Sequence, residues 1–161
     1  MIITHTLILL RHAKSAWPQD TPDADRPLAA RGRRDAPAAG RWLREHKITI
    51  DLVVCSPAAR TVQTWDLAAA QLDAVPQVRY DESLYGAHVA DLLPIIQKFP
   101  LTASTAVLVG HNPSLEDFLT LLTGVTEPIK TSTIAVMTTP KSWAEQSAEP
   151  WRLTTIATPR G

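Results

Sequence analysis

Thr6-Leu7-Ile8-Leu9-Leu10-Arg11-His12 sets the pattern of the fold. A short unbroken apolar run of this kind suits a strand buried on both faces, as in a parallel sheet. It stops abruptly at a fixed positive charge and a titratable ring. The same grammar recurs twice. Asp51-Leu52-Val53-Val54-Cys55 runs into Ser56-Pro57-Ala58-Ala59-Arg60, and Ala106-Val107-Leu108-Val109 runs into Gly110-His111-Asn112-Pro113. Between these runs the apolar spacing turns helical. Residues 29–46 place Ala36, Ala39, Gly40, Trp42 and Leu43 on one face. Pro37 removes a backbone donor inside that span, so the helix either begins near it or kinks there.

Ser56 reads as an N-cap with Pro57 at the first helical position, opening a helix through Thr61, Trp65 and Leu67 to about Leu72. Residues 75–80 suit a third strand. Residues 89–99 suit a helix carrying Leu92, Leu93 and Ile96, and another begins at Ser114 and stops at Gly124. Residues 134–137 and 151–156 read as late strands. The polar stretch 140–150 between them reads as a surface hairpin or loop. Strands alternating with helices predict an α/β fold: a three-layer αβα sandwich around a mostly parallel sheet, with residues 1–161 as a single domain. Ligands of such sheets bind beyond the carboxyl ends of the strands. The clusters at Arg11-His12, Ser56 to Arg60, and His111-Asn112 are therefore expected to meet at one edge.

Composition narrows the function classes. The chain has 161 residues, 45% apolar and 20% charged, as in an ordinary globular protein. Sixteen Lys and Arg balance sixteen Asp and Glu, so no global field favours nucleic acid or an acidic membrane. An anion site must be a local cluster. The lone cysteine, Cys55, lies in an apolar run and has no disulfide partner, which fits a reducing cytoplasm. The start lacks the pattern of a secretory signal, and no apolar run approaches membrane-spanning length.

The clusters hold two arginines and two histidines, with Asp81-Glu82 after another expected strand. Arginine offers a donor fork matched to phosphate oxygens, and histidine can be a nucleophile or a proton shuttle. A nearby carboxyl can protonate a leaving oxygen. This inventory suits phosphoryl transfer to nitrogen. Zinc sites do not ordinarily seat two arginines beside their ligands, and no His-Glu-X-X-His pattern is present, so neither metal nor cofactor is expected.

These residues resemble a known family. Leu9-Leu10-Arg11-His12-Ala13-Lys14-Ser15 is similar to the signature of the histidine phosphatase superfamily, whose usual Gly is here Ala13. Arg-His-Ala-Lys-Ser is a familiar form among its SixA-type phosphohistidine phosphatases. The similarity continues through Arg26-Pro27-Leu28, Arg31-Gly32, Ser56 to Thr64, Glu82-Ser83-Leu84-Tyr85 and Val109 to Pro113, across about residues 6–125. The resemblance implies a phosphoglycerate mutase-like fold. It implies that His12 is the catalytic nucleophile that becomes phosphohistidine, with Arg11, Arg60 and His111 binding the substrate phosphate. By the spacing of the mutase branch Glu82 is the candidate general acid, with Asp81 as its rival.

The implied activity is that of a phosphatase, with phosphohistidine on a protein as the favoured substrate. Only about 20 residues separate Leu84 from the strand at Ala106, too few for a large capping insertion. Small phosphate esters are the alternative substrate. A low-turnover phosphate-binding regulatory module and a phosphomutase are further readings. Lys14 and Ser15 either touch substrate or belong to a solvated loop. Trp17 is a candidate for the mouth of the site. Asn112 is expected to shape its turn, and His5, His46 and His88 to have surface or core roles.

Overall fold

The computed structural model describes residues 4–146 and 151–161. The strands are β1 (His5–Arg11), β2 (Leu52–Cys55), β3 (Gln77–Tyr80), β4 (Thr105–Gly110), β5 (Ile134–Thr139) and β6 (Arg152–Ala157). The helices are α1 (Ala30–Glu45), α2 (Ala59–Ala69), α3 (Val89–Gln97) and α4 (Ser114–Thr123). Short 3-10 turns lie at Asp23–Asp25, Glu82–Leu84 and Trp143–Glu145. The strands form one sheet in the order β3-β2-β4-β1-β5-β6. β3, β2, β4 and β1 run parallel, while β5 is antiparallel to β1 and β6 antiparallel to β5.

The continuous apolar run of β1 has a simple cause: both of its faces are covered. Leu7 and Leu9 pack with Leu92 and Ile96 of α3 and Phe118 and Leu119 of α4. Ile8 and Leu10 point the other way, into Ala39 and Leu43 of α1 and Trp65 and Ala68 of α2. Successive side chains alternate across a strand, so a strand between two helical layers needs every residue apolar. The result is an αβα sandwich with a mostly parallel sheet, as expected.

Three local expectations are corrected. First, α1 begins at Ala30 and runs through Pro37. The helix survives the missing donor because its far side is locked in place. Ala36, Ala39 and Leu43 are buried, and Gly40 lies so close to α2 that an added Cβ would sit 2.0 Å from the Ala68 carbonyl oxygen. Second, α2 is capped by Ala58 and spans Ala59–Ala69, so Ser56 and Pro57 lie outside it and it ends short of Leu72. Ser56 still belongs to the sheet: its N–H donates to Val109 O at 3.0 Å. Third, the stretch after Pro140 is not simply surface. Trp143 is 0% exposed, donates Nε1–H to Ala103 O at 2.6 Å, and packs against His5, Phe99 and Trp151. Residues 147–150 of that stretch lie outside the described residues. Among the described residues no helix is long and apolar enough to cross a membrane.

Candidate active site

Strand register brings the site together. β1 pairs in parallel with β4 so that Arg11 stands opposite Gly110. The next residues on the two strands, His12 and His111, therefore emerge side by side, with ring centroids 5.3 Å apart. β2 adds Ser56 on the far side of β4, because Cys55 is opposite Val109. β3 brings Asp81 beside it, since Cys55 is also opposite Tyr80. Four parallel strands thus deliver their carboxyl-terminal residues to one edge, as anticipated for open α/β sheets.

His12 is buried, and its Nδ1 lies 2.8 Å from its neighbour's carbonyl, Ala13 O. A carbonyl only accepts, so the proton resides on Nδ1 and the Nε2 lone pair is free. Burial pushes the ring's pKa down to about 3, helped by the charges of His111, Arg60 and Arg11 and opposed by the Ala13 hydrogen bond. His12 is consequently neutral at physiological pH, the state a nitrogen nucleophile needs. The peptide that follows is pinned as well: Ala13 N–H donates to Thr64 Oγ1 at 2.9 Å. The methyl of Ala13, where the usual signature has Gly, fills a small apolar cluster with Leu28 and Ala36.

His111 is held by a 2.8 Å hydrogen bond between its Nε2 and Ser56 Oγ. Burial lowers its pKa to about 4, with Arg60 adding to the effect and Asp23 opposing it. Among the described residues, its Nδ1 and the Nε of Arg11 are buried without a hydrogen-bond partner. Arg11 also donates from Nη1 to Ile129 O at 3.0 Å, which fixes the guanidinium. Arg60 stands in the first turn of α2, where a cation opposes the helix dipole. Helix stability therefore does not explain its presence.

A residue not singled out from sequence completes the site. Arg60 donates Nη1–H to Asp23 O at 2.8 Å and Nη2–H to Asp23 Oδ2 at 3.1 Å. The Tyr85 hydroxyl donates to the same Oδ2, and Arg26 donates to Oδ1 at 3.0 Å. Tyr85, then Arg26 and Arg60, hold the Asp23 carboxyl well below the usual carboxylate range. The loop carrying Asp23 is itself braced. Arg26 is buried, donates to Ala16 O and Ser15 Oγ, and stacks 3.2 Å from the Trp17 ring centroid. Ser15 is thus buried structure rather than solvated loop, and the exposed Trp17 backs Arg26. Asp23 sits in a Pro- and Asp-rich loop with no periodicity, so only folding reveals its partner.

Glu82 is not brought into the cluster of basic residues. It is exposed, opens the turn after β3, and has no side-chain hydrogen bond to Arg11, His12, Arg60 or His111. Asp81 is occupied locally, accepting from both Ser83 N–H and Ser83 Oγ–H. Glu82 and Tyr85 line a cleft of about 770 Å³ with Arg79, Tyr80 and Lys98, beside α3 and outside the cluster of basic residues. Asn112 ties its turn to Glu116 and Ile129, as anticipated. Cys55 is buried, and its thiol is pushed up to about 12 by burial, so it stays protonated. Among the described residues no three His, Cys, Asp or Glu side chains are grouped to hold a metal.

Comparisons with known proteins give the family and the fold. Residues 7–92 match the histidine phosphatase superfamily (branch 1). The uncharacterized protein Rv1276c of Mycobacterium tuberculosis is 38% identical over 147 residues, covering 84% of this chain and 90% of the relative. A provisionally designated phosphohistidine phosphatase SixA from Nakamurella multipartitia superimposes with a TM-score of 0.87 at 34% identity, covering 97% of this chain and 96% of that one. The protein histidine phosphatase SixA in complex with tungstate has the same fold, with a TM-score of 0.81 at 22% identity over 96% and 97% of the two chains. The match over residues 7–92 covers more than half of the chain, and the chain belongs to branch 1 of the histidine phosphatase superfamily.

Proposed function

We propose that this single domain is a phosphatase that works through a phosphohistidine on His12, and that its substrate is phosphohistidine on a protein. The observation that carries the reading is the His12 tautomer. With Nδ1–H committed to Ala13 O, the only lone pair the ring can offer is on Nε2. Nε2 attacks phosphorus in line, and the bond from phosphorus to the leaving nitrogen or oxygen breaks with its electron pair. Arg11, Arg60 and His111 meet the charge on the transferring oxygens, the largest catalytic contribution in reactions of this class. Water then attacks the phosphohistidine, releasing phosphate and returning the neutral ring.

Glu82 is proposed as the group that protonates a leaving ester oxygen: its exposed side chain is not hydrogen-bonded to the basic residues, whereas Asp81 already accepts twice from Ser83. The imidazole of a phosphohistidine substrate needs less help than an alkoxide. The favoured protein substrate is supported by the short connection from Leu84 to β4, which contains only α3 and places no insertion over the site. The likeness to structures designated SixA supports the same choice.

The test is a rapid quench without acid after mixing with phosphorylated substrate, followed by mass spectrometry of the peptide containing His12. A phosphoryl adduct on His12, lost together with turnover in His12→Ala, is the expected result. Phosphate release persisting in His12→Ala would overturn the assignment. Turnover of small esters but not of protein phosphohistidine would move the substrate to the ester class. Tight phosphate binding without turnover would make the protein a regulatory module.

A further inference from the structure

The turn between β5 and the preceding loop touches the nucleophile from behind. Ser132 is fully buried, and its backbone N–H donates to the carbonyl oxygens of both Arg11 and His12, at 3.1 Å each. Thr133 O accepts the Arg11 N–H at 3.2 Å, and Ile129 O accepts the Arg11 side chain at 3.0 Å. Residues 129–133 therefore place the Arg11 backbone, the Arg11 guanidinium and the peptide that joins His12 to Ala13. The carbonyl of the next peptide, Ala13 O, selects the His12 tautomer.

Ser132 makes these bonds at φ 64°, a left-handed conformation uncommon for a residue with a Cβ. Its turn is tied to α1 and residue 160. Arg160 Nη1 donates to Thr131 O at 3.0 Å and to Asp35 Oδ2 at 2.9 Å. Ser132 Oγ donates to Asp35 O at 3.4 Å. The Asp35 side chain is 2% exposed and also accepts from Gly161 N–H at 3.0 Å and Arg31 Nε at 3.4 Å. A carboxylate buried this far is costly unless fully partnered, and breaking its pairing costs more than never having it. None of its hydrogen-bond partners is among the four basic residues of the site.

We infer that Asp35 and Arg160 are positioning residues: they clamp the 130–133 turn so that Ser132 holds the Arg11 and His12 carbonyls, and with them the nucleophile, in attacking geometry. The inference rests on His12 being the nucleophile. Small displacements of a reacting group lower the rate of its step without removing the groups that bind substrate.

The test uses Arg160→Ala and Arg160→Lys in the full chain, with p-nitrophenyl phosphate as substrate. Arg160 is 34% exposed on its side chain, so truncation leaves little buried void. At a temperature where circular dichroism shows each variant folded, Arg160→Ala is expected to lose about tenfold in kcat, with KM changed less than twofold. Arg160→Lys is expected to lose less, and guanidinium ion at millimolar concentration to restore part of kcat in Arg160→Ala only. Asp35→Asn, which keeps the shape, is expected to fall in kcat alongside Arg160→Ala. Wild-type kcat in both Arg160 variants overturns the inference, as does a loss that merely tracks the unfolded fraction and is not rescued. His12→Ala separates the two claims. If it retains turnover, the nucleophile assignment fails. If it is dead while the Arg160 variants are normal, only the clamp fails.

Discussion

Asp23 holds Arg60 at two points, with its backbone carbonyl and with its carboxylate. Both contacts draw on donors that the phosphate-binding reading assigns to substrate oxygens. The carboxylate is half exposed, at 50% of its side-chain area, so its grip on Arg60 is screened and modest. It also places a negative charge against Arg60, one of the residues proposed to bind phosphate. Asp23→Ala is therefore expected to tighten inhibition by inorganic phosphate, by up to about fivefold, the scale of an exposed ion pair. Competitive inhibition constants with p-nitrophenyl phosphate measure this. Weaker inhibition in the variant would mean instead that Asp23 holds Arg60 ready for ligand. At this same scale the sequence was most readable where charge follows a buried run. His12, Arg60 and His111 each stand just beyond such a run, whereas Asp23 has no local signature and meets Arg60 across 37 positions.

Among the elements, the pairing of α1 with α2 sets where Arg60 stands. Gly40 allows the two backbones to approach, since a Cβ there would lie 2.0 Å from Ala68 O and 2.7 Å from its carbonyl carbon. Backbone cannot yield as a flexible side chain does. Gly40→Ala gains about 1 kcal/mol of helix propensity, but forcing the helices apart costs more, so a net loss of about 2 kcal/mol is expected. Urea unfolding measures it, and an unchanged midpoint would show that the helices separate freely. The same close contact explains how α1 runs through Pro37. A missing hydrogen bond weighs less than a buried face of Ala36, Ala39 and Leu43. Propensity read along the chain carries no information about that packing, and the late start expected at Pro37 fails for this reason.

For the whole molecule, a buried His12 and a partly buried His111, both held without charge, make stability depend on pH. In the unfolded chain each has a pKa of about 6.5. In the folded protein they sit near 3 for His12 and near 4 for His111, chiefly through burial. Above pH 6.5 both states are neutral and nothing is lost. As pH falls through 6.5 the unfolded chain takes up protons that the native state refuses, so stability declines, and it continues to decline until about pH 4 for His111 and about pH 3 for His12. At pH 5 each histidine is expected to have cost on the order of 2 kcal/mol relative to pH 7.5. Urea titrations at the two pH values test this. A variant carrying both His12→Asn and His111→Asn should be markedly less sensitive, and equal slopes would show that the rings charge freely in the native state.

The layered α/β plan and three polar clusters at strand ends are legible along the chain, because burial on two faces writes an unbroken apolar run that needs no partner to be recognised. The rest depends on how distant segments meet. Strand register made His12 and His111 neighbours, and a carbonyl one residue away chose the His12 tautomer. Folding also took Ser56 from its expected cap to His111, buried Trp143 inside a polar stretch, and brought Asp23 to Arg60 and Arg160 to Asp35. Each of these is a contact between groups whose partner lies on another segment or is chosen by the local backbone path. Its energy depends on distance and direction in space, and no period along the chain encodes either.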